Sequence, residues 1–363
     1  MELLGIDVGF GFTKATNGKE FIMFKSVIGE ATELQFWSDL AQGPLTNNLH
    51  VSIDDKSYFV GDLAERQSDV RQYTLDQEKL ITEYVKVLAL TMAGLFCEKF
   101  VPLHLVSGLP VGYFRDFGEK FTRQILGHHN VNFMKADGSK VTRRLNIAKV
   151  RMVPQPFGSV LNLLMSDKGK IVKADMARQK LGVIDVGFRT TDIAILDKLQ
   201  YINRGSRTMD TGMSEAFRTI ANKLREKTGI SMELYRLYEA VGKGSIKVRG
   251  QEITFVKMRD QVYAQIADEI AKEINTLWAD EWDMDAIVLT GGGCMELARH
   301  LQPLVIGNVI PMENEVDARL NNVQGYFKYA RHLWADGAPA AGSPAGGGED
   351  KMPQELKSLD NRR

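Results

Sequence analysis

The stretch Leu3-Leu4-Gly5-Ile6-Asp7-Val8-Gly9-Phe10-Gly11-Phe12-Thr13-Lys14 decides how the chain reads. Leu3, Leu4, Ile6 and Val8 form a short apolar run of the kind that packs inside a sheet as a buried strand. That strand delivers Asp7 to a glycine-punctuated turn. Gly9 and Gly11 let the backbone turn tightly and come close to a ligand that a Cβ would hold away. Thr13 and Lys14 follow with a hydroxyl and a cation. Backbone N–H donors, a lysine and an acid placed for a metal are the chemistry that holds a polyphosphate. A hairpin with an incidental Asp and Lys would read the same way, so this stretch alone leaves both readings open.

A second copy tips the balance. Gly182-Val183-Ile184-Asp185-Val186-Gly187-Phe188-Arg189-Thr190-Thr191-Asp192-Ile193-Ala194-Ile195-Leu196 repeats the strand, the Asp-Val-Gly-Phe turn and the strand that follows. An internal repeat at this separation predicts two related halves facing each other. Ligands favour the crevice between such halves, where two Asp-bearing turns would grip one phosphate chain from both sides.

These two turns resemble the two phosphate loops of the actin-like ATPase superfamily, which takes in actin, seventy-kilodalton heat-shock chaperones, sugar kinases and bacterial actins. Ala286-Ile287-Val288-Leu289-Thr290-Gly291-Gly292-Gly293-Cys294-Met295-Glu296-Leu297 resembles that family's adenosine loop. Val153-Pro154-Gln155-Pro156-Phe157-Gly158 resembles its first connecting segment, where a Gln or Glu polarises water. The motifs stand in the family order, over about residues 1–334. Two further stretches are similar to the plasmid-segregation actins of the ParM group. One is the strand Val101 to Gly112 with its Gly-Leu-Pro turn; the other is the closing helix around Asn321-Asn322-Val323-Gln324-Gly325-Tyr326.

The resemblance implies an α/β, actin-like (ribonuclease-H-like, duplicated) two-domain fold with a nucleotide in the interdomain cleft. Residues 1–165 plus 315–335 would form the first domain, 166–314 the second, and 336–363 a flexible tail. ATP with Mg2+ is the implied ligand. Lys14, seven residues past Asp7, matches the lysine that holds β- and γ-phosphate oxygens. Gly9, Gly11, Phe12, Thr13, Gly187 and Thr190 would give backbone or hydroxyl contacts. Gly212, Gly291, Gly292, Gly293 and Met295 would contact the adenosine. Asp7 and Asp185 would hold the hydrated metal, since Mg2+ keeps several waters. Gln155 would orient the attacking water, which is positioning more than proton removal. Asp192 would hold that water from another side, so Gln155, Asp185 and Asp192 form the implied catalytic set. Chaperones, kinases and segregation actins usually carry an acid near the place of Gln155; this chain carries the amide, as actin does.

Composition sets outer bounds. At 363 residues the chain exceeds one typical core. Hydrophobic content of 44% and charged content of 25% are ordinary for globular proteins. A formal net charge of zero provides no global field for nucleic acid or acidic membranes and removes one barrier to self-association. Cys97 and Cys294, far apart in sequence, are expected to be reduced in a cytoplasmic protein. The chain enters a strand at once, so no signal peptide is expected. Its longest apolar run, around Val87 to Cys97, is too short to span a bilayer. The six histidines show no zinc-ligand spacing, and His128-His129 read as surface loop.

Between the motifs the pattern predicts strands at Phe21–Phe24, Val51–Ile53 and Tyr58–Val60, with a polar irregular stretch from Gly29 to Asn48. A helix with one apolar stripe is expected over Leu75–Phe100, including Leu80 and Ile81. Gly127–Arg144 reads as a hairpin turning at Asp137-Gly138. Pro156 is suited to start a helix. Ser166–Lys180 reads as a solvated excursion, Leu199–Asn203 as a strand and Gly205–Gly212 as a polar loop. Gly242-Lys243-Gly244-Ser245 lacks the spacing of a P-loop and reads as the entry to a hairpin. Long helices are expected over Met258–Trp282 and Asp317–Trp334. Gly337–Gly348, made only of Gly, Ala, Ser and Pro, reads as a linker before a polar end.

Three function classes follow: a filament-forming ATPase for plasmid or DNA segregation, a small-molecule kinase on the same fold, and a non-polymerising regulatory or chaperone-type ATPase. A kinase needs a general base beside its acceptor hydroxyl, and no sugar-site constellation is evident. A heat-shock chaperone would need a substrate domain after residue 334, where only a short tail follows. The expected partners are further copies of the chain and a DNA-bound adaptor, without direct nucleic-acid contact or membrane insertion.

Overall fold

The computed structural model describes residues 1–32, 45–73, 83–135, 137–310 and 317–335. Part of the polar stretch from Gly29 to Asn48, the start of the Leu75–Phe100 helix with Leu80 and Ile81, and the linker and tail lie outside the described residues.

The first half builds a ten-stranded sheet. Its strands in chain order are β1 (Glu2–Val8), β2 (Phe12–Thr16), β3 (Phe21–Lys25), β4 (Val27–Glu30), β5 (Leu49–Ile53), β6 (Lys56–Val60), β7 (Arg71–Tyr73), β8 (Pro102–Leu109), β9 (Gly127–Met134) and β10 (Lys140–Pro154). They lie in the order β3-β2-β1-β8-β10-β9-β5-β6-β4-β7. The second half builds a five-stranded sheet from β11 (Lys180–Val186), β12 (Thr191–Asp197), β13 (Gln200–Met209), β16 (Ala286–Thr290) and β17 (Val309–Ile310). Its order is β13-β12-β11-β16-β17, and the hairpin β14 (Ser245–Val248) and β15 (Gln251–Thr254) stands apart.

The repeat in sequence is a repeat in topology. β1 pairs antiparallel with β2 and parallel with β8, and β8 pairs parallel with β10. β11 pairs antiparallel with β12 and parallel with β16, which pairs parallel with β17. The register repeats too: Asp7 stands opposite Lys14 and Asp185 opposite Asp192. β1 and β11 each pair parallel with a strand reached by a crossover, and β1, β11 and β16 read as near-continuous apolar runs, as strands covered on both faces do.

Nine helices cover these sheets among the described residues: α1 (Asp62–Gln67), α2 (Glu83–Phe96), α3 (Val111–Ile125), α4 (Gln155–Leu164), α5 (Met213–Thr228), α6 (Tyr238–Lys243), α7 (Val256–Leu277), α8 (Cys294–Leu301) and α9 (Asn321–Trp334). α4 lies between the halves. Its Val160 and Leu164 pack with Leu181, Val183, Ala194 and Leu196 of the second sheet, while Leu161 packs with Val106, Val153 and Tyr326. α9 returns the chain onto β1, where Gly5 admits it: a Cβ there would lie 2.5 Å from the Val323 carbonyl oxygen.

Several expectations shift. The segment read as a loop from Gly205 continues β13 to Met209, because Arg207, Thr208 and Met209 pair with β12 past an irregularity between Ile193 and Ile195. Its polar sequence is that of an edge strand, where charge blunts further pairing. His128 and His129 lie on β9, paired with β10. The long helix starts at Val256 and ends at Leu277, short of Trp282. The last helix begins at Asn321, after a short 3-10 turn in which the Asp317 side chain accepts from the Arg319 N–H. α3 was not anticipated, since Pro110 read as part of a turn and not as the residue that caps a helix. No helix among the described residues is long and apolar enough to cross a membrane.

Candidate functional site

Both Asp-Val-Gly turns close in the same way. Gly9 N–H donates to Phe12 O at 3.1 Å, and Gly187 N–H donates to Thr190 O at 2.8 Å. Each turn sits at the carboxyl end of its central strand, the position where open α/β sheets bind ligands. The two ends face one cavity of about 760 Å³.

Asp7, Gly9, Gly11, Phe12, Lys14, Gln155, Asp185, Gly187, Thr190, Asp192, Gly291, Gly292, Gly293 and Met295 all line that cavity. Thr13 does not: it is fully buried, and its hydroxyl bonds to Ser26 Oγ at 2.9 Å. Gly212 also stands behind the wall. It precedes α5, whose first amides donate back to the second turn, Met213 N–H to Gly187 O and Ser214 N–H to Phe188 O. A Cβ on Gly212 would lie 2.8 Å from Phe188 O, so its small size keeps helix and turn together.

The carboxylates are held from several directions. Lys14 Nζ lies 2.9 Å from Asp7 Oδ2 and donates to the Arg319 carbonyl at 3.1 Å. Gln155 Nε2 donates to Asp7 Oδ1 at 3.1 Å, from the first position of α4. Asn322 Nδ2 donates to Asp185 Oδ2 at 2.7 Å. Burial pushes Asp185 up to about 6; the negative charge of Asp7 adds to the rise, while the Asn322 bond opposes it. Burial likewise lifts Asp192 to about 7 against its bond from Thr208. Gly291, at φ +92°, lets the third loop pass Asp185, because a Cβ there would lie 2.2 Å from Asp185 Oδ1. Cys294, three residues further on, is an inert thiol raised to about 12 by burial.

Two carboxylates on facing turns, with the charge of Asp7 near enough to raise the proton affinity of Asp185, suit a divalent cation shared with phosphate oxygens. Among the described residues no group of three or more His, Cys, Asp or Glu side chains is arranged to hold a metal ion. The chemistry of the pair Asp7 and Asp185 is that of an ion which takes one or two carboxylates and completes its shell with phosphates and water, as Mg2+ does.

Sequence reasoning missed the aromatic wall and the contributions of α9. Tyr238 packs on Phe12 of the first half at 5.1 Å between ring centroids, and on Phe188 and Phe217 of the second at 4.9 and 5.3 Å. Its hydroxyl would be 2.7 Å from a Cβ on Gly11, so the first turn needs glycine there for contact as well as for turning. Asn322 and Arg319, also cavity residues, sit in a stretch read only as a closing helix. A Gly-Phe-Gly-Phe turn was the available signal for the aromatic wall: Phe10 packs on the core of the first half, while Phe12 is met by Tyr238 across the cleft.

Residues 5–158 match the N-terminal domain family of actin-like proteins, and residues 183–303 match the C-terminal family of the archaeal MreB-like actin homologue. With both halves assigned, the chain belongs to the actin-like superfamily. Among solved structures it is similar to a non-polymerisable quadruple mutant of pCBH ParM, at 24% identity and a TM-score of 0.75, covering 91% of this chain and 99% of that one. A 15-stranded ParM filament from Clostridium botulinum gives 23% identity and a TM-score of 0.75 over the same shares. An archaeal actin homologue in complex with ADP gives 20% identity and a TM-score of 0.72, again over 91% and 99%. No curated protein matches the chain.

Proposed function

We propose that this chain binds and hydrolyses ATP with Mg2+ and polymerises into cytoskeletal filaments that serve plasmid or DNA segregation in the cytoplasm, through a DNA-bound adaptor. The reading takes 1–165 plus 315–335 as one domain, 166–314 as the other and 336–363 as a tail. The observation that carries it is the convergence of Asp7 and Asp185, from equivalent turns of equivalent sheets, on one cavity that also holds Lys14 and Gln155. Similarity to a protein solved as a filament and to another solved with ADP supports the same reading.

In this mechanism the amides of both turns and Lys14 bind the phosphate chain. Lys14 exchanges part of its bonding to Asp7 for phosphate oxygens, which leaves Asp7 free to face a cation. Asp7 and Asp185 would hold Mg2+, whose charge would offset that building on the phosphates. Gln155, fixed at the start of α4, orients one water by its amide, and Asp192 faces the same space. Such positioning with electrostatic stabilisation supplies most of the catalysis in phosphoryl transfer. Because the ligands belong to opposite halves, nucleotide favours the closed cleft through unequal affinity for closed and open forms.

Light scattering and sedimentation with Mg-ATP test the proposal. Assembly that depends on nucleotide, with phosphate released, is the expected result. Phosphate release without assembly would move the chain to the non-polymerising class, and transfer to a small-molecule hydroxyl would move it to the kinases.

A further inference from the structure

The N-terminus of α3 is capped by the other half of the molecule. Pro110, at the cap position, supplies no side-chain bond. Val111 N–H donates instead to Asp192 Oδ1 at 2.8 Å, and Gly112 N–H donates to Thr208 Oγ1 at 2.8 Å. The Thr208 hydroxyl in turn donates to Asp192 Oδ1. Asp192 and Thr208 face each other in the register of β12 and β13, so the second sheet presents them as a pair. A Cβ on Gly112 would stand 3.2 Å from Thr208 Oγ1, so strand and helix are in direct contact. Asp192 is 3% exposed and lines the nucleotide cavity, while Thr208 stands outside the cavity's lining.

First-turn N–H groups of a helix need acceptors, and the helix end favours negative charge. Here one hydroxyl satisfies the helix and fixes the carboxylate together. Without it, an exposed helix amide and a buried carboxylate oxygen both lose a partner, and the carboxylate oxygen has less access to water than the amide. We propose that Thr208 is a positioning residue: it joins Asp192 to the start of α3, so that closure of the two halves adds the Val111 amide to the donors, Thr208 and Thr190, that the second half itself supplies to the cleft carboxylate. The effect on rate rests on the ATP-hydrolysis reading; the lock itself does not.

Three variants test it. Thr208→Val keeps the shape and deletes the hydroxyl, and Thr208→Ser restores the hydroxyl. Val111→Pro removes the other bond from the opposite half, at the helix position where proline is best tolerated. Pro110, with ψ 146°, already has the extended conformation required before a proline. Amide exchange by mass spectrometry over the first turn of α3, without nucleotide, reads the lock. Phosphate release and affinity at known Mg-ATP concentrations read its consequence. Thr208→Val is expected to exchange about tenfold faster and release phosphate about tenfold slower, the size of effect one lost hydrogen bond gives. Its affinity should stay within about threefold, because the phosphate contacts are intact. Thr208→Ser should match wild type, and Val111→Pro should release phosphate as slowly as Thr208→Val while keeping its helix content; it also carries the test if Thr208→Val does not fold. Unchanged exchange in Thr208→Val, or equal impairment in Thr208→Ser, overturns the proposal. A wild-type protein that releases no phosphate sinks the hydrolysis reading instead, and the exchange measurement then decides the lock alone.

Discussion

Lys14 faces Asp7 across the β1–β2 hairpin, with its Nζ 2.9 Å from Asp7 Oδ2. The equivalent position in the second hairpin, opposite Asp185, is Asp192. One duplicated frame therefore carries a cation on one side of the cleft and a carboxylate on the other. In the proposed mechanism that asymmetry separates a phosphate-holding half from a half that positions water.

Lys14→Met should weaken Mg-ATP binding about a hundredfold. Truncating one member of a buried charged pair commonly costs roughly 2–5 kcal/mol, and here both the phosphates and Asp7 lose their cation. Titration with a fluorescent ATP analogue measures it. Affinity within threefold of wild type would remove Lys14 from the phosphate site.

Gln155→Ala should bind ATP and assemble but release phosphate slowly. A lost positioned donor in such a site costs roughly 3 kcal/mol, or about a hundredfold in rate. The bond from Gln155 to Asp7 sets a second expectation: binding weakens slightly, since Asp7 loses one of its donors. Single-turnover phosphate release at saturating ATP checks the rate. If hydrolysis drives disassembly, filaments of the variant also outlast those of wild type.

Asp192 sets a pH dependence. Its folded value of about 7 exceeds the ordinary 3.8 because burial disfavours the charged form. Between those values the folded state binds more protons than the unfolded state. The stabilisation from this group is therefore complete below the ordinary value and is lost as pH rises through the folded one. The loss approaches roughly 1.4 kcal/mol per pH unit within the window. Asp192→Asn cannot ionise, so its melting temperature should gain on wild type from about pH 5 to about pH 8. Calorimetry across that range gives the answer, and a constant difference would mean that Asp192 titrates normally in the fold.

Gly325→Ala should destabilise the protein by about 3 kcal/mol or more. α9 crosses α4 there, and an added Cβ would fall 1.7 Å from the Gly158 carbonyl oxygen, a collision with backbone that no side-chain rotation relieves. Because α4 also packs on the second sheet, the loss should appear as one cooperative transition. A chemical-denaturation midpoint equal to that of wild type would count against this crossing.

Sequence alone determined the duplicated strand-turn-strand frame. A buried strand needs a continuous apolar run, a turn near a ligand needs glycine, and Asp at the end of such a strand has few other uses. These constraints are local, so residues 3–14 and 182–196 announced them, and Asp7, Lys14 and Asp185, which line one cavity, could be named together as candidates. Tertiary structure decided whatever depends on contact between distant segments. Asn322 reaches Asp185 because α9 crosses the molecule, and Tyr238 joins Phe12 to Phe188 because the second half brings α6 over the first turn. Thr208 looked like part of a polar loop, yet pairing with β12 makes it a strand residue that caps a helix of the other half. An edge strand with charged side chains has no one-dimensional signature that separates it from a loop. Its partners are chosen by the packing of two sheets, and that choice lies in no single stretch of the chain.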